Sequence, residues 1–222
     1  RTPDGFEKLD KPNVDFGGGL ERIAAAKIDS PDVFKISLLW PIIAGLEKAT
    51  GKKYDDNKVS MRVVADHLRA ATFMAVDGIT PSNKEQGYVM RRLLRRAIRY
   101  AFDLGIEQGL CEQIVPVIAD MYHEDYPEDA EHPDAIVATI VKEEKVFRQT
   151  LRKGIQEFAK LTEGGALTGE IVFKLYDTFG FPVELTLEEA TQQNIDVPES
   201  IRADFDALMA EQRARSQTAA KG

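Results

Sequence analysis

The residues with the clearest chemical potential are five closely spaced arginines. Arg91, Arg92, Arg95, Arg96 and Arg99 stand in the run MRRLLRRAIRYA. On a helix, at about 100° per residue, they fall within an arc of roughly 140°. Val89, Met90, Leu93, Leu94, Ala97, Ile98 and Ala101 fill the opposite arc. One face is therefore guanidinium and the other hydrocarbon. No acidic residue stands between Arg91 and Arg99. Like charges at i,i+4 repel by a few tenths of a kcal/mol per pair. A phosphate backbone would relieve that repulsion. Acidic side chains elsewhere in the fold would do the same. A different class of function also fits the pattern: a helical interaction module that docks an acidic protein through this face.

The other reactive side chains are few. His67, His123 and His132 are the only histidines, and the last two lie in the acidic stretch YHEDYPEDAEHPD. Asp66-His67 reverses the His-Asp order of metal-dependent phosphohydrolases, and no second histidine shares its helix. His67 is expected to be a hydrogen-bonded core residue, and no metal site is expected. Cys111 has no His or Cys beside it and reads as a small buried side chain. Gly17-Gly18-Gly19 leads into Leu20-Glu21-Arg22. A strand, a glycine turn and a helix start can hold phosphate through backbone N–H groups. The loop lacks a P-loop ending and the spaced glycines of a dinucleotide fingerprint, so alone it reads as an ordinary turn. Asn83 and Asp177 fall in turn-like sequence, where such side chains usually cap local backbone.

Nearly all the elements that must carry these residues are helical. Met61 to Val76 is apolar on most sides and predicts a central buried helix. Arg62, Asp66 and Arg69 share one stripe of it. Asp77 to Asn83, DGITPSN, is turn chemistry, with Ser82 or Asn83 able to begin the arginine helix. Val33 to Thr50 predicts a helix kinked near Trp40 by Pro41 and ended by Gly51. Further helices are expected from Glu107 to Met121, interrupted at Pro116, from Ala135 to Leu161 and from Gly169 to Tyr176 with Thr168 as its cap. Asp177 to Pro182 reads as a turn. Thr186 and Glu189 read as a capping box for the following helix. The last helix should run from Pro198 to about Arg215. Strand signals are nearly confined to the first 20 residues, around Asn13 to Phe16. The fold class is mainly α, a helical bundle-like domain with a small extended N-terminal piece.

Composition narrows the class. The chain has 222 residues, is 43% hydrophobic and 30% charged, and carries a net charge of -8. That supports a sizeable core and argues against indiscriminate nucleic-acid binding, though not against a local basic face. One cysteine excludes an internal disulfide and suits a reducing, cytoplasmic setting. No apolar run reaches the roughly 18 residues of a membrane helix, and no signal peptide is visible. A chain opening on Arg1 is expected to be a piece of a longer one.

Three stretches together resemble a known family. Asn13 to Ile23, NVDFGGGLERI, resembles motif 3 of class II aminoacyl-tRNA synthetases. Arg62 to Arg69 (RVVADHLR), with Asp77 to Asn83 and Gly87 to Arg96 (GYVMRRLLRR), resembles the alanyl-tRNA synthetase family. Leu175 to Leu185, LYDTFGFPVEL, fits the bacterial branch of that family. The resemblance implies alanine activation with ATP and Mg2+, then transfer to tRNA(Ala). It implies that residues 1–28 end a catalytic domain whose earlier motifs lie upstream. Residues 29–222 would be the helical tRNA-recognition domain, with a possible sub-division at 122–134. The N-terminal piece would then be a remnant of the class II antiparallel sheet. By resemblance, Gly17, Gly19 and Arg22 meet ATP, with Arg22 on its phosphate, and Asp15 holds the alanine amino group. Phe16, Gly18 and Gln86 depart from the family's usual residues. Asn83 and Asp177 fall where the family reads a G·U wobble pair in the acceptor stem. The five arginines are expected to contact tRNA phosphates. Without the upstream motifs, this stretch alone is not expected to aminoacylate or to need a cofactor.

Overall fold

The computed structural model describes residues 17–126 and 133–219. These residues form nine α-helices and no β-ladder. The helices are α1 (Leu20–Lys27), α2 (Trp40–Thr50), α3 (Lys58–Val76), α4 (Glu85–Asp103), α5 (Leu110–Tyr122), α6 (Pro133–Leu161), α7 (Gly169–Phe179), α8 (Val183–Gln192) and α9 (Ile201–Ala219). The extended piece expected around Asn13 to Phe16 lies outside the described residues. Among the described residues there is no sheet for it to join. The strand-like pairing that is present is an isolated bridge between Ala166 and Asp196.

The chain divides into two compact units, Arg1–Trp40 and Pro41–Gly222. Residues 127–132 of the possible sub-division at 122–134 lie outside the described residues. In the first unit α1 packs on a short 3-10 turn, Val33–Lys35. Asp32 caps that turn by accepting the Phe34 N–H at 3.0 Å. A single kinked helix from Val33 to Thr50 does not form. Helix α2 starts afresh at Trp40, which puts Pro41 in its first turn, where a missing N–H costs nothing. Gly51, at φ +68°, ends it as expected.

In the second unit α3 and α4 make the most extensive helix pair, and α3 also packs on α5 and α6. Met61, Val64, Ala65, Leu68 and Ala71 of α3 have no exposed surface, nor have Met90, Leu94, Ala97, Ile98 and Ala101 of α4. Each such Leu, Ile or Met contributes about 1.5–3 kcal/mol. Helix α6 packs on α4, α5 and α7, and α7 packs on α8 and α9. The N-terminus of α5 is capped from α6. Glu144, 2% exposed, accepts the N–H groups of Leu110 at 3.1 Å and Cys111 at 2.8 Å. A buried carboxylate is tolerable there because free N–H donors and the positive helix end face it. Pro116 sits inside α5 without ending it.

Two local expectations change. Helix α8 begins at Val183, directly after Pro182, so Thr186 lies within it and is fully buried. Thr186 and Glu189 are therefore not a capping box. Helix α7 continues to Phe179, so Asp177 stands in its last turn and not in a loop. The Thr168 cap is present, accepting the Ile171 N–H at 3.3 Å. Gly180 then closes α7 in the left-handed region at φ +70°.

Candidate nucleic-acid interface

The arginine face of α4 is not one open surface. Acidic side chains of α6 and α8 neutralise much of it. Arg95 donates from Nε to Glu143 at 2.7 Å and from Nη1 to the Gly180 carbonyl at 2.6 Å, over the ring of Phe147. Arg91 Nε reaches the same Glu143 carboxylate at 3.2 Å. Arg96 grips Glu188 through Nε at 2.7 Å and Nη2 at 2.5 Å. Arg99 is 7% exposed and binds Glu189 at 2.8 Å and Asp103. Arg92 sits 3.5 Å from Glu184 and keeps 37% of its side chain exposed. The repulsion read from the sequence is thus relieved from within the chain.

The five guanidiniums thus differ in how far they are already occupied within the chain. Arg99 is enclosed and doubly paired, so reaching an RNA backbone would mean breaking a buried ion pair. Arg95 has 12% of its side chain exposed and spends its donors on Glu143 and Gly180. Arg96 is committed to Glu188.

The end of α4 near its start is different. There Arg91, Arg92 and Arg95 line a groove of about 900 Å³ together with Asn83 and Asp177. The groove brings together two residues that are far apart in sequence. Asn83 is placed by the loop before α4. Ser82 N–H donates to the Gly87 carbonyl at 3.0 Å, and Ser82 Oγ donates to the Lys84 carbonyl at 3.1 Å. Gly87 permits this packing: a Cβ there would lie 2.5 Å from the Thr80 carbonyl oxygen. Arg91 Nη1 donates to Asn83 Oδ1, and Nη2 donates to the Pro81 carbonyl at 3.3 Å. A guanidinium can only donate, which identifies the contacted atom as the amide oxygen and turns Nδ2 outward.

Asp177 is placed by the end of α7. Gly180 turns the chain there, and Arg95 clamps its carbonyl. A Cβ at Gly180 would lie 2.2 Å from Arg95 Nη1. Asp177 is exposed, and Gln212 of α9 donates to its Oδ1. The rest of the groove includes Lys84, Tyr88, Tyr176, Met209 and Arg213.

Comparison with known proteins decides the family. The family described as tRNA synthetases class II (A) matches residues 2–222. The chain belongs to that family. It is similar to the alanine–tRNA ligase of Geobacillus kaustophilus, with 41% identity over 98% of this chain and 25% of the relative. It is also similar to the alanine–tRNA ligase of Listeria monocytogenes, with 43% identity over 98% of this chain and 26% of the relative. The chain thus spans about a quarter of the length of these relatives.

The synthetase-motif residues of the first unit are only partly described. Asp15 and Phe16 lie outside the described residues. Gly17 and Gly19 lead into α1, which carries Arg22. A Cβ at Gly17 would meet nothing within 4 Å, and one at Gly19 would touch only Arg22, at 3.4 Å. Among the described residues, no group of three His, Cys, Asp or Glu side chains could hold a metal ion, and no helix is long and apolar enough to cross a membrane.

The remaining polar cluster of this synthetase chain is structural. His67 Nε2 lies 2.7 Å from Arg96 Nη1 and Nδ1 lies 3.0 Å from Asp66 Oδ2. Because Arg96 must donate, Nε2 accepts and the ring proton sits on Nδ1, donating to Asp66. The His67 hydrogen bond, followed by nearby positive charge, holds the Asp66 carboxyl below its ordinary value. Tyr100 donates to Glu188 at 2.5 Å and accepts from Gln192 at 2.7 Å. Burial and then the Glu188 hydrogen bond push its hydroxyl up to about 12. Burial pushes Glu188 upward, but hydrogen bonds from Arg96 and Tyr100 outweigh it and leave the carboxyl below its ordinary value. Cys111 is fully buried and its thiol is pushed well up, first by burial and then by Glu144. Sequence reasoning missed Glu143, Glu188 and Glu189 as partners of α4. The signal was weak: Glu143 and Glu188 lie in ordinary amphipathic runs of α6 and α8, and the spacing of Glu189 pointed to a capping box instead.

Proposed function

We propose that this chain is part of an alanine–tRNA ligase and that its second unit binds the acceptor stem of tRNA(Ala). The carrying observation is one groove lined by Asn83, Asp177 and the cationic side chains Lys84, Arg91, Arg92 and Arg213. In the whole enzyme, alanine and ATP with Mg2+ would be the small substrates. Arg22, Gly17 and Gly19 would serve ATP, and Asp15 the alanine amino group. The upstream portion of the enzyme would supply the remaining catalytic groups.

The groove suits a wobble pair chemically. A-form RNA presents a wide, shallow minor groove that side chains can reach. A G·U pair leaves the guanine 2-amino group there without its usual partner. An ionised Asp177 is acceptor-only. Asn83 keeps a second lone pair on Oδ1 and the donors on Nδ2. Asp177 also stands at the negative end of α7, where a carboxylate is unfavourable by about 0.3–1 kcal/mol. A residue that costs stability where it stands is better explained by recognition than by folding. Arg92, with Lys84 and Arg213, is assigned to phosphate. Arg95, Arg96 and Arg99 are assigned to holding the groove.

The test is competition binding between short acceptor stems that differ only in a G·U or G·C pair. Asn83→Ala and Asp177→Ala should each lose preference for G·U by an amount corresponding to about 1–3 kcal/mol, by analogy with base-edge contacts. Arg92→Ala should weaken both stems alike and reduce the salt slope by about one. Retention of the wild-type preference in both Asn83→Ala and Asp177→Ala overturns the recognition role.

A further inference from the structure

Helix α9 carries no motif that pointed to function, yet it reaches the groove. Gln212 Nε2 donates to Asp177 Oδ1 from an element otherwise held against α7. Beside Gln212, α9 also contributes Met209 and Arg213 to the groove lining. Asp177 has no other side chain bonded to it among the described residues. An exposed aspartate in a last helical turn samples several rotamers. A fixed donor on one oxygen selects among them and leaves Oδ2 as the free acceptor. An amide suits this position because it donates without bringing a charge of its own. A lysine or arginine there would neutralise Asp177 and compete with a base-edge donor for it.

We infer that Gln212 is a positioning residue that sets the specificity of the groove by fixing the Asp177 carboxylate for a donor on the RNA minor-groove edge. The inference rests on the reading of Asp177 given above. The base contact itself remains that of Asp177.

The experiment measures binding of the full chain to G·U and G·C acceptor stems for Gln212→Ala, Gln212→Glu, Asp177→Ala and Asp177→Ala/Gln212→Ala. Gln212→Ala should lose about three- to tenfold of the G·U preference, the range of one hydrogen bond, with G·C affinity and melting temperature unchanged. Gln212→Glu should lose more, because two carboxylates repel each other across the former hydrogen bond. The double variant should bind the G·U stem no more weakly than Asp177→Ala alone, since Gln212 acts through Asp177. If Gln212→Ala keeps the preference while Asp177→Ala loses it, the positioning role is refuted and the reading of the groove stands. If the double variant binds G·U more weakly than Asp177→Ala, Gln212 contacts the RNA itself and the positioning role is likewise wrong. If Asp177→Ala keeps the preference, the reading beneath both fails.

Discussion

Arg99 separates two accounts of the arginine helix, and its replacement by methionine has a calculable outcome. The Arg99 side chain is 8% exposed and its partner Glu189 is 9% exposed. Their closest approach is 2.8 Å, and Asp103 holds the other end of the guanidinium. Removing the guanidinium leaves the Glu189 carboxylate with Gln193, which donates at 2.8 Å. Breaking a buried pair from one side costs about 3–5 kcal/mol, mostly because the surviving charge is left desolvated. Asp103 is 45% exposed, rehydrates on losing its partner, and adds less than about 1 kcal/mol. Domains of this kind are stable by only about 5–15 kcal/mol, so Arg99→Met should remove about a fifth or more of the total.

Two measurements check the reasoning. Urea unfolding followed by circular dichroism should show a lower midpoint with an unchanged slope. Arg99→Met/Glu189→Gln should recover about 2 kcal/mol or more, because the orphaned charge is gone. At a temperature where Arg99→Met is still folded, its affinity for an acceptor stem should stay within about threefold of the parent, with the same salt slope. A variant as stable as the parent, but with a reduced salt slope, would mean that Arg99 holds phosphate and that its burial has been misread.

The same reasoning extends to two other positions. Gly180→Ala should destabilise by about 2–4 kcal/mol, because φ is +70° and the new Cβ would lie 2.2 Å from Arg95 Nη1; an unchanged melting temperature would refute the clamp. Burial, and then the hydrogen bond to Glu188, push the Tyr100 hydroxyl up from its ordinary 10.0 to about 12. With a raised folded-state value, its contribution is complete below about pH 10 and is lost as pH rises from 10 to 12. Stability of the parent should therefore fall across that window, and Tyr100→Phe should remove that part of the fall. A parent and variant with parallel alkaline profiles would contradict the Tyr100–Glu188 hydrogen bond.

What was legible in the sequence was whatever depended on local pattern. The apolar periodicity of Met61 to Val76 and Met90 to Ala101 marked α3 and α4 because one helix face suffices to show it. Thr168 and Gly51 marked a start and a stop because caps act within one turn. Pro41 was located as a disruption, but whether it kinks a helix or begins one depends on what precedes it. Val33 to Leu39 settle into a 3-10 turn and its exit, which no periodicity announces. Asp177 was misjudged as a loop residue because the αL glycine that ends α7 lies three positions further on. Thr186 and Glu189 matched a capping pattern by spacing alone, while the helix had already begun at Val183. The partners of the arginines were the least legible. Glu143, Glu188 and Glu189 are set against α4 by tertiary packing, and spacing in sequence carries no trace of that.

On the proposed acceptor-stem reading, the same packing would let a strongly basic helix serve selective binding. Five unpaired arginines would bind any polyanion, and affinity for phosphate carries no sequence information. Glu143, Glu188 and Glu189 remove most of that indiscriminate field along α4. They leave the α4 start as the more open region, beside Asn83. The guanidiniums so neutralised are then used as braces. Arg91 fixes the amide of Asn83, and Arg95 ties Glu143 of α6 to the Gly180 turn that orients Asp177. The two groove residues come from a loop and from a helix end, so their separation is set by α4, α6 and α7 together. A wobble pair differs from a standard pair by small displacements of its edge groups. On the proposed reading of the groove, discriminating them would require fixed acceptors and a weak general attraction, and arginines spent on internal ion pairs would supply both.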